Sequence, residues 1–363
     1  MNRWQQVLSQ GLSQQKKLNP QQLKVLSHLQ ACKTEQNGSE TYACEGCGYE
    51  QTILRSCRDR HCPSCQYRAT LKWCEARRTD VLPVRYFHLV FTLPSSLNGW
   101  VSCHTSVIYR LLFESVWRTL NHFGHAANRL NGQLGALTVL HTWGQKLVRH
   151  VHLHCLIPGG ALGQDGKWHA AKGNYLFPVR ALSRYYRGGM VSALREARNK
   201  GLLARIGDNE FDSKLNQLMQ TDWVVYSKAA TYGHDKLIDY LGRYTRKIAL
   251  SLNRIISVTE AQVKLRYRDY RDGQQKIMPL SCDELVRRFA LHVLPKGFMR
   301  VRYYGFLANA VRRKRLRQIR VALLLPEPVK PIKTIVEPPA CPKCGEHHWC
   351  FKGAIVRWHW QPG

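Results

Sequence analysis

The stretch His150-Val151-His152-Leu153-His154-Cys155-Leu156-Ile157, followed by Pro158-Gly159-Gly160, decides the fold of this chain. Its alternation of polar and apolar residues predicts a β-strand from Val151 to Ile157 that ends at the Pro-Gly-Gly turn. Because successive side chains of a strand point to opposite faces, the histidines share one face and the apolar residues the other. Imidazoles that converge in this way are suited to bind a cation. The ordinary alternative is a polar strand face that binds no ion.

The residues around this strand predict more strands and helices. An apolar run at 86–93 is typical of a second strand and stops at Pro94, and apolar residues then recur at helical spacing between Ile108 and Phe123. Strands and helices are interspersed without regular alternation from about residue 86 to about residue 294. This pattern indicates an α+β domain.

The charge of the chain indicates a polyanionic partner. The 363 residues include 55 Lys and Arg against 24 Asp and Glu, which gives a formal net charge of +31, while 44% of the residues are hydrophobic. That hydrophobic content excludes a disordered basic tail, and the charge favours binding to nucleic acid. Thirteen cysteines, several in Cys-x-x-Cys pairs, indicate metal binding in a reducing compartment. We expect a cytoplasmic, nucleoid-associated protein without a membrane span.

Changes in composition divide the chain into three predicted segments. Residues 1–80 are rich in cysteine and read as a small zinc-binding, DNA-recognition domain, and residues 81–295 form the α+β domain. Residues 296–363 comprise a basic helix, a Pro-rich linker and a candidate C-terminal Cys/His zinc knuckle.

Two Cys-x-x-Cys pairs in the first segment predict a structural zinc site. Cys44, Cys47, Cys62 and Cys65 have the spacing of two knuckles that converge on one tetrahedral ion. Cys32, Cys57 and His61 offer either a second site or alternative ligands. Near the C-terminus, a further knuckle is predicted at four residues: Cys341, Cys344, His347 and Cys350.

The histidine strand and a later helix together predict phosphate chemistry. His152 and His154, with Gln145 as candidate third ligand, would hold Mg²⁺ or Mn²⁺ and leave open positions for a phosphate oxygen. Tyr240 and Tyr244 are four residues apart, so on a helix they stand on one side, among Arg243, Arg246 and Lys247. Nearby cations favour the oxyanion that makes a phenol nucleophilic. The ordinary alternative is two aromatic residues that pack on the sheet.

Basic and aromatic residues elsewhere are candidate DNA contacts. Arginines neutralise phosphates, and neighbouring tyrosines can stack on bases. Besides Arg243 and Arg246, the candidates are Arg58, Arg60, Arg184, Tyr185, Arg187, Arg300, Arg302, Arg312, Arg313, Lys314 and Arg315, with Tyr186, Tyr267, Tyr270, Tyr303 and Tyr304 as further stacking residues.

Six motifs, in order along nearly the whole chain, resemble the zinc-binding, two-tyrosine rolling-circle transposases of the insertion sequence ninety-one family. These motifs are Cys-Arg-Asp-Arg-His-Cys-Pro-Ser-Cys (57–65), Phe-Thr-Leu-Pro (91–94), His-Thr-Trp-Gly-Gln (141–145), the histidine strand with its turn (150–160), Tyr-Leu-Gly-Arg-Tyr-Thr (240–245) and Arg-Tyr-Tyr-Gly-Phe-Leu-Ala (302–308). The resemblance implies an antiparallel sheet with packed helices, as in the histidine-hydrophobic-histidine (HUH) endonucleases.

The resemblance also implies residue roles and a reaction. It makes His152 and His154 the metal pair and Tyr240 and Tyr244 the nucleophiles, while Lys247 matches a helper lysine of related single-tyrosine nickases. The implied activity is nicking and rejoining of single-stranded DNA, including transposon ends, through 5′-phosphotyrosine links. The alternatives are a plasmid replication initiator or relaxase, and a non-enzymatic zinc DNA-binding regulator. Since the sequence has no Gly-x-x-x-x-Gly-Lys-Ser/Thr motif, we expect a host helicase as partner. The oligomeric state is left open.

Overall fold

The computed structural model describes residues 1–230, Gly242, 248–328 and 338–356. Within these residues the helices are α1 (Arg3–Gly11), α2 (Pro20–Ala31), α3 (Gln66–Arg77), α4 (Asn98–Cys103), α5 (Thr105–His125), α6 (Val179–Asn199), α7 (Asp208–Gln220), α8 (Cys282–Ala290) and α9 (Arg312–Ala322). The strands are β1 (Ser39–Cys44), β2 (Glu50–Leu54), β3 (Tyr86–Thr92), β4 (Gly135–Trp143), β5 (Arg149–Pro158), β6 (Gly160–Leu162), β7 (Trp168–Ala170), β8 (Val225–Ala230), β9 (Ile255–Val258), β10 (Val263–Arg268), β11 (Gln275–Leu280), β12 (Val301–Gly305) and β13 (Trp349–Ile355).

A five-stranded antiparallel sheet forms the centre of the fold, in the order β12-β4-β5-β3-β8. Strand β5 contains the predicted histidine strand, and β3 matches the strand predicted at 86–93. The antiparallel sheet with packed helices confirms the α+β prediction. We call the face of this sheet that carries His141, His152 and His154 the histidine face.

Helices α5 and α6 cover the opposite face. Leu112 of α5 and Tyr186 of α6 belong to a buried cluster with Phe91 and Leu153 of the sheet. The ring of Tyr186 meets that of Phe91 edge-on, with centroids 5.3 Å apart, and the side chain is fully buried. The prediction that Tyr186 stacks on DNA bases is therefore wrong, because this tyrosine lies on the apolar stripe that holds α6 to the sheet.

Helix α3 packs on the histidine face. Cys74 of α3 joins Tyr86, Leu137, Val139 and Leu156 of the central sheet in a small buried cluster. Next to it, the indole nitrogen of Trp73 donates a hydrogen bond of 3.1 Å to the hydroxyl of Tyr303 in β12. The cysteine-rich segment is thus attached to the same face as the histidines.

A second core joins the N-terminal helices to residues between β8 and β12 of the central sheet. Helices α1 and α2 pack with α8 and with a three-stranded sheet, β11-β10-β9. The rings of Trp4 and Phe289 lie 4.8 Å apart in this core. Because α1 and α2 have only 9 and 12 residues, they need such tertiary packing to be stable. Helices α1 and α2 therefore pack against residues that lie outside the predicted 1–80 segment.

The predicted C-terminal segment is likewise divided among other parts of the fold. Strand β12 is an edge strand of the central sheet, and β13 pairs with β1 near the N-terminus. Leu316 and Ile319 attach the basic helix α9 to Leu82 and Phe306. Strands β12 and β13 and helix α9 thus each pack on other parts of the fold. No helix within the described ranges is long and apolar enough to cross a membrane.

Candidate active site

Three histidines meet on the histidine face. His141 in β4 is paired with His152 in β5, and His154 lies two residues further along β5. One ring nitrogen of each lies within 4.8 Å of the others, close enough for all three to bind one ion. His141 belongs to the 141–145 motif, but the sequence did not assign it as a ligand. A sequence signal for this role does exist. Leu137, Val139 and His141 alternate as in a strand, and a hairpin of this strand with β5 would place His141 beside the β5 histidines.

Hydrogen bonds orient two of these rings. The Nδ1–H of His152 donates to the carbonyl of His150 at 2.9 Å, and Nδ1 of His154 lies 2.8 Å from Nε2 of His88 in β3. Burial lowers the pKa of His88 to about 4, so His88 is neutral and its Nε2 can accept a hydrogen bond from the Nδ1–H of His154. With Nδ1 held by a neighbouring group, Nε2 is the atom through which each β5 histidine could bind a metal ion.

The donor set fits a divalent cation with open coordination positions. Three neutral imidazoles leave the full charge of the ion to attract phosphate oxygens. Mg²⁺ prefers oxygen ligands and keeps its waters, whereas the affinity of nitrogen sites for first-row divalent ions begins at Mn²⁺ and rises toward Cu²⁺. The residues present therefore fit Mn²⁺ better than Mg²⁺.

The third position of the histidine group is not filled by Gln145. This residue lies in the turn between β4 and β5, where its side-chain oxygen accepts a hydrogen bond of 3.4 Å from the backbone N–H of Arg268. Its backbone carbonyl accepts a hydrogen bond from the guanidinium of Arg254. The structure thus brings His141, in place of Gln145, to the predicted pair.

The cysteines form two groups of four, and neither is the predicted one. Cys32 and Cys57 group with Cys62 and Cys65, and the Sγ–Sγ distances between members are 3.6–3.8 Å. Four sulfurs around a tetrahedral zinc, each 2.3 Å away, would lie about 3.8 Å apart. The second group is Cys44, Cys47, Cys341 and Cys344. The predicted pairing of the two N-terminal knuckles on one ion is therefore wrong.

Three other candidate zinc ligands have different contacts. His61 bonds through Nδ1 to Asp59 at 2.9 Å, and its Nε2 accepts the backbone N–H of Leu294 at 3.2 Å. His347 donates from Nδ1 to the carbonyl of Pro338, and Cys350 is paired with Ala43 in the β1–β13 ladder. The predicted compact C-terminal knuckle does not form, because Cys341 and Cys344 group with Cys44 and Cys47 instead.

Several predicted DNA contacts are used inside the protein. The guanidinium of Arg60 donates to the carbonyls of Phe298 and Pro295, so its role is to join the cysteine-rich segment to the chain before β12. Arg302 lies over the ring of Phe113, 4.1 Å from its centroid, on the side of the sheet covered by α5. Arg187 donates to the carbonyl of Thr221 at 2.9 Å. Contacts of this kind hold structural elements together, and the guanidinium groups that make them have few donors left to bind phosphate.

The remaining basic candidates lie in different places. Arg312 pairs with Asp80 at 3.2 Å, Arg315 bonds to Gln318, and Arg300 lines a small cavity with His61. Among the basic candidates that the structure describes, the exposed ones are Arg58, Arg184, Arg313 and Lys314. Tyr185 is 36% exposed and stacks on His122 of α5, with ring centroids 4.3 Å apart. Arg184 and Tyr185 are therefore on the side opposite the histidines, whereas Arg313 and Lys314 line a groove on α9.

Residues 240–247, which contain the two predicted nucleophiles, are called the tyrosine segment, and Gly242 is the residue of this segment that the structure describes. Tyr240, Tyr244, Lys247, Arg243 and Arg246 lie outside the described residues. Gly242 lies against α3, where a Cβ atom on Gly242 would be 2.4 Å from Sγ of Cys74 and 3.2 Å from Cγ2 of Thr70. Only a glycine allows so close an approach of the backbone.

Comparison with known proteins places this arrangement in a family. Residues 135–315 match a family model described as "Putative transposase", and residues 2–93 match one described as "Transposase zinc-binding domain". A relative from Sinorhizobium fredii (strain NBRC 101917 / NGR234), "Putative transposase y4qJ", is 41% identical over 317 residues, which are 85% of this chain and 80% of the relative. The "Transposase for insertion sequence element IS801" of Pseudomonas savastanoi pv. phaseolicola is 27% identical over 342 residues, 90% of this chain and 78% of that protein. No solved structure is significantly similar.

The two matched family models and the two relatives indicate the same family as the six sequence motifs. The chain belongs to the transposases of the insertion sequence ninety-one family.

Proposed function

We propose that this chain is a metal-dependent endonuclease and strand transferase that moves an insertion sequence by cutting and rejoining single-stranded DNA. The observation that carries the proposal is the convergence of His141, His152 and His154 on one face of the central sheet. A structural role alone would not require three imidazoles with their ring nitrogens turned toward one point.

The three histidines would hold a divalent cation, and their neutral donors favour Mn²⁺ among the ions considered. When bound, this ion would polarise the scissile phosphate and stabilise its developing negative charge. His88 and the carbonyl of His150 keep two of the rings in the orientation that binding requires.

Tyr240 and Tyr244 are the proposed nucleophiles. The phenolate oxygen of one tyrosine attacks the phosphorus, the bond from phosphorus to the 3′ oxygen breaks, and the leaving oxygen takes up a proton. The products are a 5′-phosphotyrosine and a free 3′-hydroxyl, so the energy of the phosphodiester bond is conserved. The second tyrosine can cut a second junction while the first DNA end stays attached. Lys247 is proposed to favour the phenolate by its charge.

The position of Gly242 supports this assignment. Gly242 contacts Cys74, which packs on the histidine face with Val139 and Leu156. Val139 is two residues before His141, and Leu156 is two residues after His154. The chain at Gly242, which is two residues from each tyrosine in the sequence, therefore lies beside this face.

The transposase function predicts DNA partners of two kinds. Single-stranded DNA would reach the histidine face, and transposon-end DNA would be bound by basic residues such as Arg313 and Lys314. A host helicase is proposed to supply the single strands. A replication initiator would nick one origin, whereas a transposase joins two ends, so strand exchange between labelled ends distinguishes these activities.

The test is a covalent adduct assay on labelled single strands from the ends of the mobile element, with Mn²⁺ or Mg²⁺. We expect an adduct that survives denaturation, is lost in His152→Ala and in Tyr240→Phe/Tyr244→Phe, and persists in two controls. The controls are His125→Ala, on the exposed end of α5, and Tyr175→Phe, an exposed tyrosine before α6. Tight DNA binding without any adduct would contradict the proposal and favour a DNA-binding regulator.

A further inference from the structure

The second cysteine group is built from the two ends of the chain. Cys44 is the last residue of β1 and Cys47 follows that strand, whereas Cys341 and Cys344 precede β13 near the C-terminus. Sγ of Cys44 lies 3.5 Å from Sγ of Cys344, and Sγ of Cys47 lies 3.7 Å from Sγ of Cys341. These distances match the separation of about 3.8 Å expected between sulfurs on one tetrahedral zinc.

The two pairs have the same local structure. Each has the sequence Cys-x-x-Cys-Gly, and in each the backbone N–H of the glycine donates to the carbonyl of the first cysteine, at 2.9 Å for Gly48 and 2.8 Å for Gly345. Both glycines have positive φ, +70° and +79°, which lets the chain turn back after the second cysteine. This repetition shows two matching knuckles that face each other.

The small sheet next to the knuckles has little core of its own. Strand β1 lies between β2 and β13, and large apolar side chains remain exposed on both outer strands: Ile53, Leu54, Phe351 and Ile355. In contrast, Cys44 and Cys341 are buried, at 2% and 3% exposure. A small sheet without a hydrophobic core requires another source of stability, and a structural metal is one.

We propose that Cys44, Cys47, Cys341 and Cys344 bind one Zn²⁺ that closes the chain by fixing its C-terminal strand to its N-terminal domain. The site is separate from the Cys32, Cys57, Cys62 and Cys65 group and extends beyond the matched zinc-binding domain at residues 2–93. Four thiolates complete the tetrahedron, so this zinc is structural. The pairing of β13 with β1 then depends on the ion, and the proposal stands independently of the nuclease chemistry.

Zinc content of the purified full-length protein tests the proposal. We expect two Zn²⁺ per chain, falling to one in Cys344→Ser and to one in Cys32→Ser, because each change removes a ligand from a different site. Cys350→Ser and the control Cys103→Ser, an exposed cysteine outside both groups, should keep two. If the N-terminal knuckles shared one ion and the C-terminal knuckle held another, Cys32→Ser would keep two and Cys350→Ser would keep one.

A second measurement covers the case in which a variant fails to fold. In the unmodified sequence, after zinc is removed by a chelator, mild oxidation with diamide should form disulfides between the N-terminal and C-terminal pairs. Peptide mass spectrometry should then find Cys44 or Cys47 joined to Cys341 or Cys344, and zinc-loaded protein should be protected. Cross-links that join Cys44 or Cys47 to Cys62 or Cys65 instead would overturn the proposal.

Discussion

His141 of β4 lies directly opposite His152 of β5 in the antiparallel ladder. Residues directly opposite in such a ladder have neighbouring side chains on one face, so the hairpin itself sets the distance between the two imidazoles. The sheet thus assembles the histidine group from two strands that are adjacent in sequence, and β3 adds His88 behind His154.

We expect His141→Ala to abolish metal-dependent adduct formation as fully as His152→Ala, with a loss of at least about 100-fold, since ligand loss should exceed the 10–100-fold effect of outer groups. Gln145→Ala should keep most of the activity, because its side chain bonds to the backbone of Arg268. Adduct yield with Mn²⁺ measures both. Equal losses in the two variants would place Gln145 among the ligands.

His88→Phe removes the hydrogen-bond partner of His154 without charging the site. We expect the Mn²⁺ concentration for half-maximal cleavage to rise about 10- to 100-fold, while the rate at saturating Mn²⁺ largely recovers. His88→Gln, which offers an accepting oxygen, should restore part of the affinity. A lower maximal rate with no change in the Mn²⁺ requirement would show that His88 does not act through the metal.

Gly242→Ala should place a methyl group on Sγ of Cys74 and move the tyrosine segment. Overpacking of this kind costs about 1–3 kcal/mol, and we expect at least a tenfold loss of adduct formation. Removing the sulfur in Cys74→Ala should leave the activity of the single variant near normal and restore activity in the double variant. Additive losses in this double-mutant cycle would contradict the proposed contact between α3 and the tyrosine segment.

Arg313→Ala/Lys314→Ala should weaken binding of single strands from the transposon ends by removing two phosphate contacts. The slope of log binding constant against log salt concentration should become less negative by about 1.4, from about 0.7 per contact on single strands. Arg302→Met is the matched control, because Arg302 lies over the ring of Phe113. Fluorescence anisotropy between 50 and 300 mM salt (roughly the range in which such contacts are measurable) checks the slope. The same slope in the unmodified protein, the double variant and the control would show that α9 does not contact the DNA.

The ion pairs of Glu284 should make the stability of α8 depend on pH. Arg287, and to a lesser extent Arg288, lowers the pKa of Glu284 to about 2 against the opposing effect of partial burial. Because the folded pKa lies below the ordinary value near 4.3, the stabilisation is present above pH 4.3 and disappears as the pH falls toward 2.

Glu284→Gln should therefore lower the free energy of unfolding by about 1 kcal/mol at pH 7. Urea unfolding from pH 7 to pH 3 should show the variant and the unmodified protein converging. Glu196→Gln, which removes an exposed pair with Lys200, should change stability by less than about 0.5 kcal/mol. A difference for Glu284→Gln that grows as the pH falls would contradict the sign of this effect.

The local patterns of the sequence predicted the elements of the site well. The alternation around His152 and His154 was sufficient to predict β5 and the shared face of its histidines, because the period of a strand is a local property. The knuckles at Cys44, Cys62 and Cys341 were also visible, because the Cys-x-x-Cys spacing is local.

Contacts between residues far apart in the sequence were harder to predict. The pairing of Cys47 with Cys341 joins residues about 300 positions apart, and spacing within a knuckle does not say which knuckles converge. His141 was missed because its role depends on the register between β4 and β5. Arg60 was misread because a basic residue in a basic chain looks like a phosphate contact until its carbonyl partners are seen.

Locating the DNA on the protein is the most direct test of the central proposal. The adduct formed with Mn²⁺ would be digested with nuclease and trypsin, and the peptide that carries the nucleotide would be sequenced by mass spectrometry. We predict a nucleotide on Tyr240 or Tyr244 and no adduct in His141→Ala. A nucleotide on any other residue, or a full yield of adduct in His141→Ala, would contradict the proposed site.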